Sequence, residues 1–177
     1  MEYLVAISIG PVQSFIEAGR RSQDLWCGSW LLSEVSRAVA FHLHQAQNGC
    51  LIFPSPENPD IDLQPQDPDA DNVIEANIAN VVRAVVAVDD KAQVRDIVEQ
   101  AKQAAEARLM QILDDVRHKK LAGFTIDWTR FEQQKDGILD TYAAWVKLES
   151  GQYGNASERL GKATHSPQAN QRLSALN

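Results

Sequence analysis

The stretch YLVAISIGPVQSF, residues 3–15, decides the fold of the first part of the chain. Its first seven residues are mostly apolar and include β-branched side chains, which is typical of a buried strand. Gly10 and Pro11 follow at once, and proline cannot continue a sheet ladder but suits the first turn of a helix. The pattern therefore predicts a buried strand that passes directly into a helix starting near Val12.

The rest of the chain can be divided by the periodicity of its apolar residues. The predicted elements after the first strand are a helix from about 29 to Asn48-Gly49, strands at 50–53 and 81–88, short helices at 73–80 and 128–134, a long helix from about 90 to 119, and a strand at 138–148. The main elements follow the order strand, helix, strand, strand, helix, strand. That order predicts an α+β, ferredoxin-like antiparallel sheet, as in polymerase palms and nucleotide cyclases, with helices on one face.

The domain organisation follows from composition. Residues 54–72 hold five prolines and six acidic side chains, which predicts a solvated surface loop inside the domain. We expect residues 1–150 to form one ferredoxin-like domain. Residues 151–177 are expected to be a helical or partly disordered C-terminal extension that leads toward a further domain.

Charge and cysteine content exclude several classes of function. The 177 residues carry a net charge of -7, so non-specific nucleic-acid binding by the whole surface is not expected. The two cysteines cannot form a four-ligand zinc site. No signal peptide is recognisable, and no apolar run approaches the roughly 18 residues needed to span a membrane. We therefore expect a cytoplasmic protein with no membrane partner.

Sequence motifs for catalysis are missing. The chain has no phosphate-binding loop, no Gly-x-Ser-x-Gly elbow and no Gly-Gly pair, so a Gly-Gly-Asp-Asp turn is excluded. Asp89 and Asp90 follow a predicted strand, where a palm can hold metal-binding carboxylates. An aspartate directly before a helix more commonly caps its free N–H groups, so capping is the preferred interpretation. We predict no catalytic residue and no metal site in this chain.

The first strand-to-helix junction is the best candidate for ligand binding. Gly10 would let a ligand approach the backbone, and the N–H groups of the following helix attract phosphate oxygens. Gln13 and Ser14 add side-chain donors, while Arg20 and Arg21 could reach a phosphate or an RNA backbone. The same residues also fit a junction with a purely architectural role. Trp26 and Trp30 could stack on a base, although aromatic pairs at helical spacing are typical of a core.

The chain resembles the N-terminal palm-like domain of the large, polymerase-like subunit of type III-B CRISPR (Cmr) effector complexes. The residues that carry the resemblance are SIGPVQSFI at 8–16, Ala18, Arg20-Arg21, DLW at 24–26, GSWLLS at 28–33 and LIFP at 51–54. A weaker similarity continues to about residue 150. In this family two palms face each other, and target-RNA binding starts the synthesis of cyclic oligoadenylate from ATP. The Gly-Gly-Asp-Asp turn belongs to the second palm.

The resemblance implies a non-catalytic palm that contributes to the ATP pocket of a nucleotidyltransferase and is inactive alone. The implied nucleotide-binding residues are Gly10, Pro11, Val12, Gln13, Ser14, Phe15, Ser29 and Trp30. ATP with Mg²⁺ is the expected substrate of the parent enzyme, and no cofactor is expected for folding. Expected partners are the second palm, other Cmr subunits and, indirectly, guide and target RNA. We also expect the family's nuclease domain to be absent and its zinc domain to lie downstream.

One alternative to nucleotide binding stays open. The domain could be a protein–protein scaffold within the CRISPR ribonucleoprotein complex, with no direct role toward a nucleotide.

Overall fold

The computed structural model of the protein describes residues 1–12, 17, 19–66, 77–135 and 138–164. The strands are β1 (Glu2–Gly10), β2 (Leu51–Phe53), β3 (Val81–Ala87) and β4 (Asp140–Leu148). The helices are α1 (Ser22–Ala46), α2 (Pro59–Asp62), α3 (Lys91–Asp115), α4 (Trp128–Lys135) and α5 (Tyr153–Thr164), and a π-helical turn, Val116–Lys120, continues α3. None of the described helices is long and apolar enough to cross a lipid bilayer.

The four strands form one antiparallel sheet in the order β2-β3-β1-β4. This order confirms the predicted α+β, ferredoxin-like fold. Gly10 lies opposite Asp140, and Ser8 lies opposite Val81, so β1 ends where β3 and β4 begin. We call this the Gly10 end of the sheet, and the opposite end, where β1 starts, the Met1 end.

The central position of β1 explains its apolar sequence. Side chains alternate along a strand, so β1 must supply apolar groups to both faces of the sheet. Tyr3, Val5, Ile7 and Ile9 belong to the main core, which α1 and α3 cover. Leu4 and Ala6 face the other side, where residues of α5 join them in a second cluster.

The position of α5 extends the predicted architecture. The sequence predicted helices on one face and an extension after residue 150, whereas α5 packs on the second face of the sheet. The physical reason is that Leu4 and Ala6 would otherwise expose apolar surface on that side. Ala156 and Leu160 cover them, and full burial of a leucine side chain contributes about 1.5–3 kcal/mol.

Helix α1 begins seven residues before its predicted start. Asp24 Oδ2 accepts hydrogen bonds from the backbone N–H groups of Arg20 and Arg21, at 2.9 and 3.0 Å, and so satisfies donors at the helix start. Leu25 and Trp26 in the first turns are exposed, so these turns show no inward apolar stripe in the sequence. The helix was predicted to end at Asn48-Gly49, and its last residue is Ala46. Gly49, with φ +75°, lies just after this end.

Helix α3 begins with the predicted aspartate cap. Asp90 Oδ1 accepts a hydrogen bond from Gln93 N at 2.9 Å, which confirms the capping interpretation for this residue.

Several predicted features fall outside the described residues. These are most of the first turns of the helix predicted after Pro11, residues 73–76 of the helix predicted at 73–80, the second half of the 54–72 loop, and the tail from 165 onward. Residues 77–80 are described and are not helical, so this half of the predicted 73–80 helix was wrong.

Candidate functional site

The backbone at the end of β1 is only partly buried. Gly10, Pro11 and Val12 are half-buried at the Gly10 end. A Cβ atom on Gly10 would lie 3.7 Å from Val12 N and 3.9 Å from Asp140 O, which are ordinary contact distances. Packing within the described chain therefore does not require glycine at this position. The predicted site residues Gln13, Ser14 and Phe15 lie outside the described residues.

The segment between β2 and β3 is tied to the same end of β1. Ile9 N donates a hydrogen bond to Asn80 O at 2.8 Å, and Asn80 Nδ2 donates to Ile9 O at 3.1 Å. Asn80, directly before β3, therefore lies beside the end of β1.

The remaining predicted site residues lie at the start of α1. Arg20 and Arg21 are exposed and directly precede the first turn of α1. Ser29 is exposed, whereas Trp30 is 7% exposed. Gln47, directly after α1, accepts a hydrogen bond from Ala87 N at the Met1 end, so α1 ends there and these four residues lie toward the Gly10 end. Their roles toward a nucleotide or RNA stay predictions.

Trp30 lines a cavity of about 370 Å³ between α1, α3 and the segment that follows α2. The volume falls in the range of small-molecule sites, roughly 300–1,000 Å³. Its apolar side is formed by Trp30, Pro65, Ile112 and Val116. Since α3 runs from the Met1 end back toward the start of β4, these residues lie at the Gly10 end of the helical layer.

The polar side of the cavity carries positive charge. Gln66, Arg108 and Gln111 line it together with Asp115, Lys119 and Lys120. Lys119 Nζ lies 3.1 Å from Asp115 Oδ1, and Arg108 Nη2 lies 3.5 Å from a carboxylate oxygen of Glu34, so both of these cations have an anion beside them. The lining thus combines an apolar surface with cations, a composition that suits an anionic ligand with a flat apolar part.

Three residues of this lining have unsatisfied hydrogen-bonding atoms. Within the described part of the chain, Trp30 Nε1, Arg108 Nε and Gln66 Oε1 are buried and have no hydrogen-bond partner. Most buried polar groups are paired in folded proteins, so such atoms call for a specific explanation. These atoms are buried away from the open space of the cavity, so they do not by themselves indicate a bound ligand.

A cluster of buried charges lies behind the cavity. Glu34 is 1% exposed, with Arg37 Nε at 3.1 Å and Arg108 Nη2 at 3.5 Å from its carboxylate oxygens. Sequence reasoning missed this cluster. The available signal was the position of Arg108 beside Leu109 in the apolar stripe of the long helix, where a charged residue needs a buried partner.

The cluster fastens the segment after α2 onto the helices. Gln66 N donates to both carboxylate oxygens of Glu34, at 3.2 and 3.1 Å, and Gln66 O accepts from Arg108 Nη2 at 2.9 Å. Arg37 Nη1 donates to Asp62 O, and Leu63 is buried. Most of the residues at 54–66 are exposed, as a surface connector requires, but the segment is held to the helices at Leu63 and at the backbone of Asp62 and Gln66.

The carboxylates Asp89 and Asp90 lie far from the cavity. Val88 N donates to Met1 O at 2.8 Å, so the pair follows directly at the Met1 end. The length of β1 separates that end from Gly10, which corresponds to roughly 30 Å. Among the described residues, no group of three or more His, Cys, Asp or Glu side chains could hold a metal ion.

Two groups outside the cavity lining have pKa values displaced by burial. Burial raises the pKa of the Cys50 thiol to about 11, and it lowers the pKa of His42. Cys50 Sγ also donates to Leu43 O at 3.2 Å, at the far end of α1 from Trp30.

Comparison with known proteins agrees with these observations. A family model described as "CRISPR-associated protein Cmr2, N-terminal" matches residues 4–114, which is more than half of the chain. The match runs from β1 almost to the end of α3. No curated protein matches the chain. The chain belongs to the family of N-terminal domains of CRISPR-associated protein Cmr2, the large subunit of type III-B CRISPR effectors.

Proposed function

We propose that this domain is a non-catalytic palm that forms part of the ATP pocket for cyclic oligoadenylate synthesis in RNA-guided antiviral defence. The observation that carries the proposal is the cavity of about 370 Å³ lined by Trp30, at the same end as Gly10. A base would pack on the apolar side of this cavity. Arg108 and the lysines of the π-helical turn would favour the negative charge of a nucleotide.

The domain is part of a type III-B CRISPR effector subunit and a component of the Cmr complex. Within the proposal, a second palm of the same subunit supplies the catalytic carboxylates, and ATP arrives with Mg²⁺. The location of Asp89 and Asp90 at the Met1 end argues against their service in the same pocket. Guide and target RNA would act on this domain indirectly, and we expect it to work in the cytoplasm.

The phosphates would extend from the cavity toward the β1-to-α1 junction. Gly10 has no side chain, which would let the phosphates approach its backbone closely. Arg20 and Arg21 are exposed at the same end and offer positive charge to a phosphate or an RNA backbone. The predicted donors Gln13 and Ser14 would complete this part of the site.

The test fills the cavity without touching the core. Val116 lines the cavity and is 37% exposed, so Val116→Trp should block a base while leaving the fold intact. Gln103→Trp is the matched control, because Gln103 is an exposed residue of α3 that does not line the cavity. Both variants are assembled into the Cmr complex, and cyclic oligoadenylate is measured after target RNA is added. We expect Val116→Trp to lose most of the product and Gln103→Trp to keep it.

The scaffold function remains the second candidate, and one observation favours it. Leu25 and Trp26 are 43% and 50% exposed at the start of α1, and adjacent apolar side chains on a surface are typical of protein contacts. If Val116→Trp gives normal product while Trp26→Ser fails to co-purify with the other Cmr subunits, the scaffold function replaces the proposed one.

A further inference from the structure

We propose that Arg117 is a positioning residue of the cavity. It stabilises the π-helical turn in the form that keeps Lys120 at the cavity lining, and so raises the affinity for an anionic nucleotide. This inference rests on the proposed function, because it concerns the cations of the proposed ATP pocket. Neither the resemblance nor the family match, which covers residues 4–114, assigns a role to Arg117.

The π-helical turn changes the direction in which the end of α3 presents its side chains. Leu121 N donates to Val116 O at 3.0 Å, which is the hydrogen bond between residues five apart that defines a π-helix. In an uninterrupted α-helix, Lys120 would lie about 120° around the axis from Arg108, because each residue turns the helix by about 100°. A π-helical turn rotates less per residue, so it brings Lys120 back to the side of Arg108. Both residues line the cavity, as this geometry requires.

Arg117 fastens the π-helical turn to α4. Its guanidinium carbon lies 4.7 Å from the ring centroid of Trp128, and its Nη1 donates to Glu132 Oε1 at 2.7 Å. These contacts join a residue near the start of the turn to a helix that follows the turn. An α-helical turn would send the chain toward α4 in another direction. The contacts of Arg117 therefore stabilise the π-helical form.

Helix α4 holds the partners of Arg117 in place. Asp127 Oδ1 caps its first turn, and the ring of Phe131 packs edge-to-face on Trp128 with centroids 5.6 Å apart. The side chains of Arg117 and Glu132 are 31% and 39% exposed, so their ion pair contributes little to the stability of the whole domain. Variants of this pair are therefore expected to fold, and their effect on the cavity can be measured.

The experiment removes each side of the ion pair and measures ATP binding to the full 177-residue chain by calorimetry. Arg117→Gln removes a positive charge and Glu132→Gln removes a negative one. A purely electrostatic effect on ATP would therefore have opposite signs in the two variants. If Arg117 positions Lys120, both variants should weaken ATP binding, by about fivefold, which corresponds to about 1 kcal/mol.

The matched control is Arg130→Gln, which removes a positive charge from α4 without touching the contacts of Arg117. Arg130 is 80% exposed, and its Nε lies 3.5 Å from Asp127 Oδ2, so the affinity for ATP should change by less than about twofold. The variant Lys120→Gln identifies the residue through which Arg117 acts. In that background, Arg117→Gln should cause no further loss of affinity, whereas a general loosening of the fold would add to the loss.

Two kinds of failure are distinguishable. If millimolar ATP does not bind the unmodified chain, or binds Val116→Trp equally well, the proposed ATP pocket fails and this inference fails with it. If Val116→Trp weakens binding but Glu132→Gln leaves it unchanged or strengthens it, Arg117 does not position Lys120 while the pocket itself stands. Additive losses from Arg117→Gln and Lys120→Gln would overturn the inference in the same way.

Discussion

Replacing Glu34 by glutamine should destabilise the domain strongly, because Glu34 is the anion of the buried charge cluster. Its carboxylate faces Arg37 at 3.1 Å and Arg108 at 3.5 Å. Glu34→Gln keeps the shape and one acceptor for the N–H group of Gln66 but removes the negative charge. The two buried guanidinium groups then lose the carboxylate that they share.

The size of the effect follows from burial. Removing one partner of a buried ion pair costs about 3–5 kcal/mol, and we take the lower value because glutamine still accepts a hydrogen bond. A loss of about 3 kcal/mol in a domain of this size lowers the melting temperature by roughly 6–12 °C. It also removes a large part of a typical domain stability of about 5–15 kcal/mol.

The matched control makes the same chemical change on the surface. Glu99 lies 3.5 Å from Lys102 and is 58% exposed, against 1% for Glu34. Glu99→Gln should change the free energy of unfolding by less than about 0.5 kcal/mol. Both variants are compared by urea unfolding followed by circular dichroism. Equal stabilities of the two variants would refute the argument that the cluster holds the segment after α2 in place.

Three further predictions concern other parts of the fold. Gly10→Ala should keep the stability of the domain or raise it by about 0.4–1 kcal/mol, because a Cβ atom fits at this position. The same variant should weaken ATP binding. A fall in its melting temperature would contradict the stability prediction. Leu160→Ala should cost about 2–3 kcal/mol in urea unfolding, because Leu160 is 1% exposed under the second sheet face, and an unchanged midpoint would show that α5 is not held there. At pH 8, DTNB should label the exposed Cys27 at once but Cys50 only after unfolding. The pKa of Cys50, raised to about 11 by burial, leaves about one thiolate in a thousand molecules at that pH; two equally fast thiols would exclude this reasoning.

The order of elements was predictable because each strand has a distinctive sequence. β1 and β3 combine β-branched residues with flanking turns, and the alternation along β4 separates Ala143 and Trp145 from Ala144 and Val146, as found on the two sheet faces. The start of α1 was not predictable in this way, because exposed Leu25 and Trp26 interrupt the inward stripe. The role of α5 was missed because nothing local indicates which surface Leu160 covers.

The candidate site was only partly accessible to sequence reasoning. Trp30 was singled out as a residue that could face a base, and it lines the cavity. Gln66 and Arg108 were not, because their proximity depends on contacts between segments 42 residues apart. Hydrogen bonds between residues so far apart produce no periodic pattern in the sequence.

The register of β1 also has a consequence for the order of events during synthesis. β1 leaves the ribosome first, yet its partner β4, from Gly10 opposite Asp140 to Glu2 opposite Leu148, follows roughly 140 residues later. Until then, the most apolar segment of the sheet lacks one neighbouring strand. Folding of this domain is therefore expected to wait until β4 has been synthesised, with the nascent β1 as the segment most in need of protection by a chaperone.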